Sequence, residues 1–132
     1  MHELKQAASR FRELTMQTQR NMLPITLQDF PHGACGDTAL LLGHFLTERG
    51  YGEFRYYLGW REGRSHAWLQ SGSVIVDITG DQFDDPVFVS DRSPWHEGFA
   101  GTDEHAANLT VFGGGTEAML RRAYRAILAS AE

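Results

Sequence analysis

The stretch from Cys35 to Arg49 constrains this chain more than any other. Ala39, Leu40, Leu41, Leu42, Phe45 and Leu46 cover most of a helix circumference, and a helix apolar on nearly every side is stable only when other elements enclose it. The pattern predicts a central, buried helix, closed at Gly50 by a residue free to adopt the left-handed conformation. A chain of 132 residues, 42% of them hydrophobic, is long enough to build that enclosure without metal or disulfide support. We expect one domain over residues 1–132.

The enclosing elements can be read from their periods. Leu4, Ala7, Phe11, Leu14 and Thr18 recur every three or four residues and predict an amphipathic helix from residue 3 to about 20, stopped before Pro24. Residues 23–31, with Pro24 and Pro31, read as a folded connector. Phe54, Tyr56, Leu58 and Trp60 alternate with Arg55, Tyr57, Gly59 and Arg61, the period of a strand with one buried face, so Trp60 is assigned to the core. Turn signals at Glu62-Gly63-Arg64 and Ser71-Gly72 separate it from strands over 65–70 and 73–79, an antiparallel meander, with a further short strand at 87–89.

Residues 90–108 are polar and rich in glycine and acids, which predicts a long surface excursion with one helical turn near 103–107. Within it, Trp95 and His96 read either as a substrate-binding lid or as an anchor holding the loop down. Residues 109–112 fit an edge strand, and Thr116 fits the cap of a terminal helix running to Ala129. The expected fold is α+β, with flanking N- and C-terminal helices and a central helix packed on an antiparallel sheet.

Cys35, the only cysteine, falls at the first turn of the central helix between Gly33 and Gly36. Unpaired N–H groups there favour thiolate over thiol, and the Cys35 N–H can donate to an oxyanion. Asp37 reads as an ordinary first-turn acid. If Ser71 and Gly72 are the two central turn residues, Gln70 faces Ser73, Trp68 faces Ile75 and His66 faces Asp77, which puts imidazole and carboxylate on one sheet face within hydrogen-bonding reach. A slipped register would substitute Asp81 or Asp85. Cysteine, histidine and acid then supply a nucleophile, a general base and an orienting group. Trp68 shares the face of His66, and Gln82 follows Asp77 closely, so both are candidates for the cleft wall.

These segments, Gly33-Ala34-Cys35-Gly36-Asp37, Ser65-His66-Ala67-Trp68-Leu69 and Val76-Asp77-Ile78-Thr79, resemble the catalytic core of the papain-like and transglutaminase-like cysteine superfamily, over roughly residues 30–85. The resemblance implies a minimal bacterial-type member with a helix that begins at Cys35 and packs on an antiparallel sheet. It makes Cys35 the nucleophile, His66 the base and Asp77 the orienting acid. It also implies acyl transfer through a thioester, in peptide hydrolysis, glutamine deamidation or glutamine–lysine cross-linking. Papain has an oxyanion-hole glutamine six positions before its cysteine. This chain has Asp29 there and Gln28 one position farther, so Gln28, with Gly36, is the candidate oxyanion group.

Charge and composition narrow the partners. A net charge of −5 with scattered arginines argues against a nucleic-acid footprint, and no run approaches the roughly 20 apolar residues of a membrane span. One cysteine suits a reducing compartment, so a cytoplasmic protein is expected, or one exported without a cleaved signal. The expected partner is a protein or peptide substrate, with no cofactor and no metal. Two other readings use the same residues. One is a metal site on Cys35, His66, Asp77 or His96, which no paired Cys-x-x-Cys or His-x-x-x-His spacing supports. The other is a non-catalytic binding or immunity protein that offers Asp29, Asp37, Asp84 and Asp85 to a basic partner.

Overall fold

The computed structural model describes residues 1–30, 34–79 and 86–131. The chain is α+β. Helices α1 (His2–Gln17), α2 (Cys35–Glu48), α3 (Pro94–Glu97) and α4 (Gly114–Ala129) accompany strands β1 (Arg55–Arg61), β2 (Arg64–Ser71), β3 (Val74–Asp77), β4 (Phe88–Ser90) and β5 (Thr102–Ala106). The strands form one antiparallel sheet in the order β4-β3-β2-β1-β5. No helix among the described residues is long and apolar enough to cross a membrane.

Helix α2 has the central place its composition predicts. Thr38, Ala39, Leu40, Leu41, Leu42, Gly43, Phe45 and Leu46 are all buried. It lies against β2, α1 and α4, and the Phe11 and Phe45 rings meet at 4.9 Å. A Cβ on Gly43 would lie 2.5 Å from the Ala107 carbonyl oxygen, so the bare glycine is what lets α2 approach the chain after β5. Gly50 takes the left-handed conformation, φ 90°, just beyond the helix, as expected of a stop.

Period two divides the sheet into two unlike faces. Leu69, Val76 and Ile78 join the aliphatic core under α1, α2 and α4. Trp68 and Ile75 point the other way and pack with Phe99, Tyr57, Phe88 and Trp95. That second face is covered by α3 and the residues that follow it, and His66 and Asp77 share its parity.

The segment from 90 to 112 departs from expectation. Residues 102–106 form an edge strand on β1 in place of a helical turn, because the open edge of β1 offers ladder hydrogen bonds that outweigh a weak local preference. Residues 109–112 form turns. Asn108 Oδ1 accepts from the Thr110 N–H at 2.9 Å and the Thr110 hydroxyl at 2.7 Å, a side-chain mimic of a backbone turn. Helix α4 begins at Gly114 after Gly113 at φ 59°, so Thr116 lies inside the first turn and is no cap. Trp60, assigned to the core, is 63% exposed beside the Glu62–Gly63 turn.

Candidate active site

Helix α2 starts at Cys35, with Ala34 as its N-cap and the Thr38 N–H on the Ala34 carbonyl at 3.0 Å. The thiol is free and half-buried. The His66 ring and the Ala67 backbone N–H are the groups that draw it toward thiolate. The ladder between β2 and β3 pairs Leu69 with Val76, Gln70 with Ile75 and Ser71 with Val74. It stops short of His66 and Ala67, which leaves that edge of β2 open to the sulfur.

His66 Nε2 lies 2.6 Å from Asp77 Oδ2, so Nδ1 is the ring nitrogen left to face Cys35. The route to this contact differs from the expected one. The turn residues are Gly72 and Ser73, and Gly72 at φ 59° opens the turn as a type II′ hairpin allows. Moving a two-residue turn by one position shifts every cross-strand pair by two, so parity is kept. His66 and Asp77 are therefore diagonal neighbours on one face, close enough for an imidazole to span.

Asp77 is 4% exposed and its carboxylate is fully engaged. Oδ1 accepts from the Thr79 N–H and hydroxyl, both at 2.9 Å, while Oδ2 meets His66 and also His96 Nε2 at 2.9 Å. Burial by itself would raise its pKa, but the hydrogen bonds from His66 and His96 outweigh that and hold it well below the usual carboxylate range. Burial likewise opposes the charged form of His66, yet the bonds to Asp77 and Cys35 push its pKa up to about 9. At Cys35, burial favours the thiol. The His66 hydrogen bond and the Ala67 N–H overcome it, and the pKa falls below the ordinary 9.0. Sulfur and ring are thus biased toward a thiolate–imidazolium pair.

His96 belongs neither to a lid nor to a merely hydrophobic anchor. It is 1% exposed, bound through Nε2 to Asp77 and through Nδ1 to Ser93 Oγ at 2.5 Å. Ser93 Oγ in turn accepts from the His96 backbone N–H at 3.1 Å as the cap of α3. With Nε2–H donating to Asp77, Nδ1 accepts from the Ser93 hydroxyl, and the tautomer is fixed. The signal for this was present in Ser93-Pro94, a cap followed by proline at the first helical position, which puts residue 96 on the capped turn.

Tyr56 is a second group that the alternation reading hid in the core. Its ring stacks on His105 at 4.5 Å and 17°, and its hydroxyl lies 3.3 Å from where a Cβ on Gly36 would be. The phenol thus stands over the first turn of α2. Burial, and then the charges of Cys35, Asp37 and Glu104, push its pKa to about 12, so it remains a donor across the working range. Asp37 accepts from the Thr26 hydroxyl at 2.5 Å, tying the connector to the helix start.

The other expected residues divide. Gly36 lies beside Cys35 beneath Tyr56. Trp68 is 3% exposed and stacks on His66 with centroids 5.9 Å apart; it backs the ring and lines a separate cavity with Tyr57, Gln70 and His96. Gln28 is turned elsewhere, with its amide donating to the Leu23 carbonyl at 3.2 Å, because the short helical turn at Ile25–Leu27 curls the connector back on itself. Gly33, Asp81, Gln82, Asp84 and Asp85 lie outside the described residues. A cavity of about 410 Å³ opens against His66, lined by Arg61, Glu62, Arg64, Ser65, Trp95 and Phe99.

Ligand atoms of His66, Asp77 and His96 all lie within 4.8 Å of one another, which makes them the candidate metal set. The nitrogen–oxygen separations of 2.6 and 2.9 Å are hydrogen-bond distances. Ligands at about 2.0–2.1 Å from a tetrahedral zinc would stand farther apart, at roughly 3.3 Å. The arrangement fits shared protons better than a shared cation. In comparison with known proteins, the chain matches no family model, no curated protein and no solved structure.

Proposed function

We propose that this chain is a thiol acyl-transfer enzyme acting on amide bonds of a protein or peptide. The observation that carries the reading is the His66–Asp77 pair at 2.6 Å beside the half-buried Cys35 at the start of α2, a thiol that the ring biases toward thiolate. The Cys35 thiolate attacks the amide carbonyl, forming the carbon–sulfur bond as the carbonyl electron pair moves to oxygen. The Cys35 N–H and the Tyr56 hydroxyl are the donors available to that oxyanion. On collapse the carbon–nitrogen bond breaks and the departing amine takes the His66 proton, leaving a thioester. An acceptor, water or an amine, then gives its proton to His66 and takes the acyl group. Asp77 holds the ring orientation throughout and stabilises its cationic form.

A cysteine-bearing helix against an antiparallel sheet supports the resemblance to the papain-like and transglutaminase-like superfamily, whose hydrolytic, deamidating and cross-linking members share this first half-reaction. The test is intact mass of the protein after exposure to an activated ester, comparing the parent with Cys35→Ala. One acyl group on the parent and none on the variant is expected. A Cys35 thiol no more reactive toward the ester or iodoacetamide than free cysteine would overturn the reading.

A further inference from the structure

We infer that the cavity beside His66 is the leaving-group subsite, and that it takes amide substrates carrying a carboxylate on the leaving-amine side of the scissile bond. This rests on the acyl-transfer reading. His66 must hand its proton to the departing nitrogen, so the leaving portion of the substrate is the part that lies against His66. The walls that continue from that ring are Arg61, Arg64, Trp95 and Phe99.

The sheet register explains why two guanidinium groups meet there. Arg64 and His66 are two residues apart on β2 and so share a face, and Arg61 is the direct partner of Arg64 across the turn. Like charges directly opposed on a hairpin repel, and among the described residues neither arginine forms an ion pair. Arg61 is also held down, since a Cβ on Gly98 would lie 3.0 Å from its Nη1. Glu62 also lines the cavity, so two guanidinium groups against one carboxylate leave it a net positive lining on a chain of net charge −5.

The separation suits a short substrate segment. Two strand residues span about 6.6 Å, so an anion bound at the arginine pair sits one or two residues of backbone beyond an amine held at His66. A planar guanidinium pairs with a carboxylate through two parallel hydrogen bonds. Trp95, edge-on to His66 with centroids 5.1 Å apart, and Phe99 at 5.6 Å supply an apolar wall for the carbon skeleton between them.

Binding of N-benzoylglycine and of N-benzoylglycinamide to Cys35→Ala protein, measured by calorimetry, tests this without requiring turnover. The carboxylate is expected to bind about tenfold tighter, within the range of a charge-assisted hydrogen bond. That preference should vanish in Arg61→Gln/Arg64→Gln and persist in Glu62→Gln, with unchanged thermal melts because all three side chains are exposed. Equal affinity for the two compounds, failure of both to bind, or a preference that survives loss of both arginines overturns the inference. Acylation of Cys35 by the activated ester is the separate control. If it proceeds while the preference is absent, only the subsite assignment falls; if it fails while the preference stands, the anion site remains and the enzymatic reading falls.

Discussion

The start of α2 and the segment from Ser93 to Phe99 both border the His66–Asp77 pair, and they are built in opposite ways. At the first end Cys35 is half-buried, its thiol drawn toward thiolate by the His66 ring and the Ala67 N–H, close to a tyrosine hydroxyl and an open edge of β2. At the second, Ser93 and His96 are 2% and 1% exposed, and each polar atom has a fixed role as donor or acceptor. On the acyl-transfer reading one end reacts, while the other holds Asp77 still. The difference teaches that a polar stretch need not be a surface stretch, because polar groups that satisfy one another can be buried together.

Breaking the reactive end should have the largest effect. Cys35→Ala is expected to abolish acyl transfer while the far-ultraviolet circular dichroism spectrum stays that of the parent, and His66→Ala to lower turnover by at least ~10²-fold. Unchanged turnover in His66→Ala would assign the base elsewhere. Asp77→Ala should strike both ends at once. Two imidazoles and the Thr79 groups lose their partner, so unfolding in urea should show a loss of about 3–5 kcal/mol in addition to the fall in rate.

His96→Gln sharpens the contrast. A positioning residue is expected to reduce kcat roughly tenfold, as for removal of a group orienting a ligand or base, with KM unchanged and with the alkaline limb of the rate profile moved to lower pH, since His66 loses part of its support from Asp77. A purely structural role would lower the melting temperature and leave that limb in place.

The pH dependence follows from the same pairs. Iodoacetamide alkylation of Cys35 should gain half its maximal rate below pH 9.0, the ordinary value for a thiol. Acyl transfer should decline as pH rises through about 9, where His66 loses its proton. Because the folded pKa of His66 is raised from 6.5, its contribution to stability is complete below 6.5 and is lost as pH climbs through about 9. Asp77, depressed from 3.8, contributes above that value and loses its contribution only in strong acid. The smallest effect is expected at Thr38, whose buried hydroxyl has no hydrogen-bond partner among the described residues. Thr38→Val should leave stability within about 0.5 kcal/mol or raise it, and a large loss in a urea melt would expose a partner for that hydroxyl.

The central helix, its stop at Gly50, the two hairpins, and the shared face of His66 and Asp77 were legible from the residues, because each depends on local period or on a turn-forming glycine. Even the misplaced turn did no harm to the pairing of faces, since period two tolerates an even shift. Strand β5 and the bond from His96 to Asp77 were not legible, because neither has a local period. The strand exists only because β1 leaves an edge to pair with, and His96 is buried only because Asp77 and Ser93 stand where its two nitrogens need them.

What the amino-acid sequence determined by itself was therefore the list of parts: one thiol at a helix start, an imidazole and a carboxylate on neighbouring strands, and an apolar helix that had to lie inside. The tertiary structure alone decided which polar groups share a proton, which phenol stands over the first turn of α2, and which charges border the cavity. The physical reason is range. Helix and hairpin periods are fixed by backbone geometry over a few residues, whereas burial, hydrogen-bond partnership and pKa depend on groups brought together from distant parts of the chain.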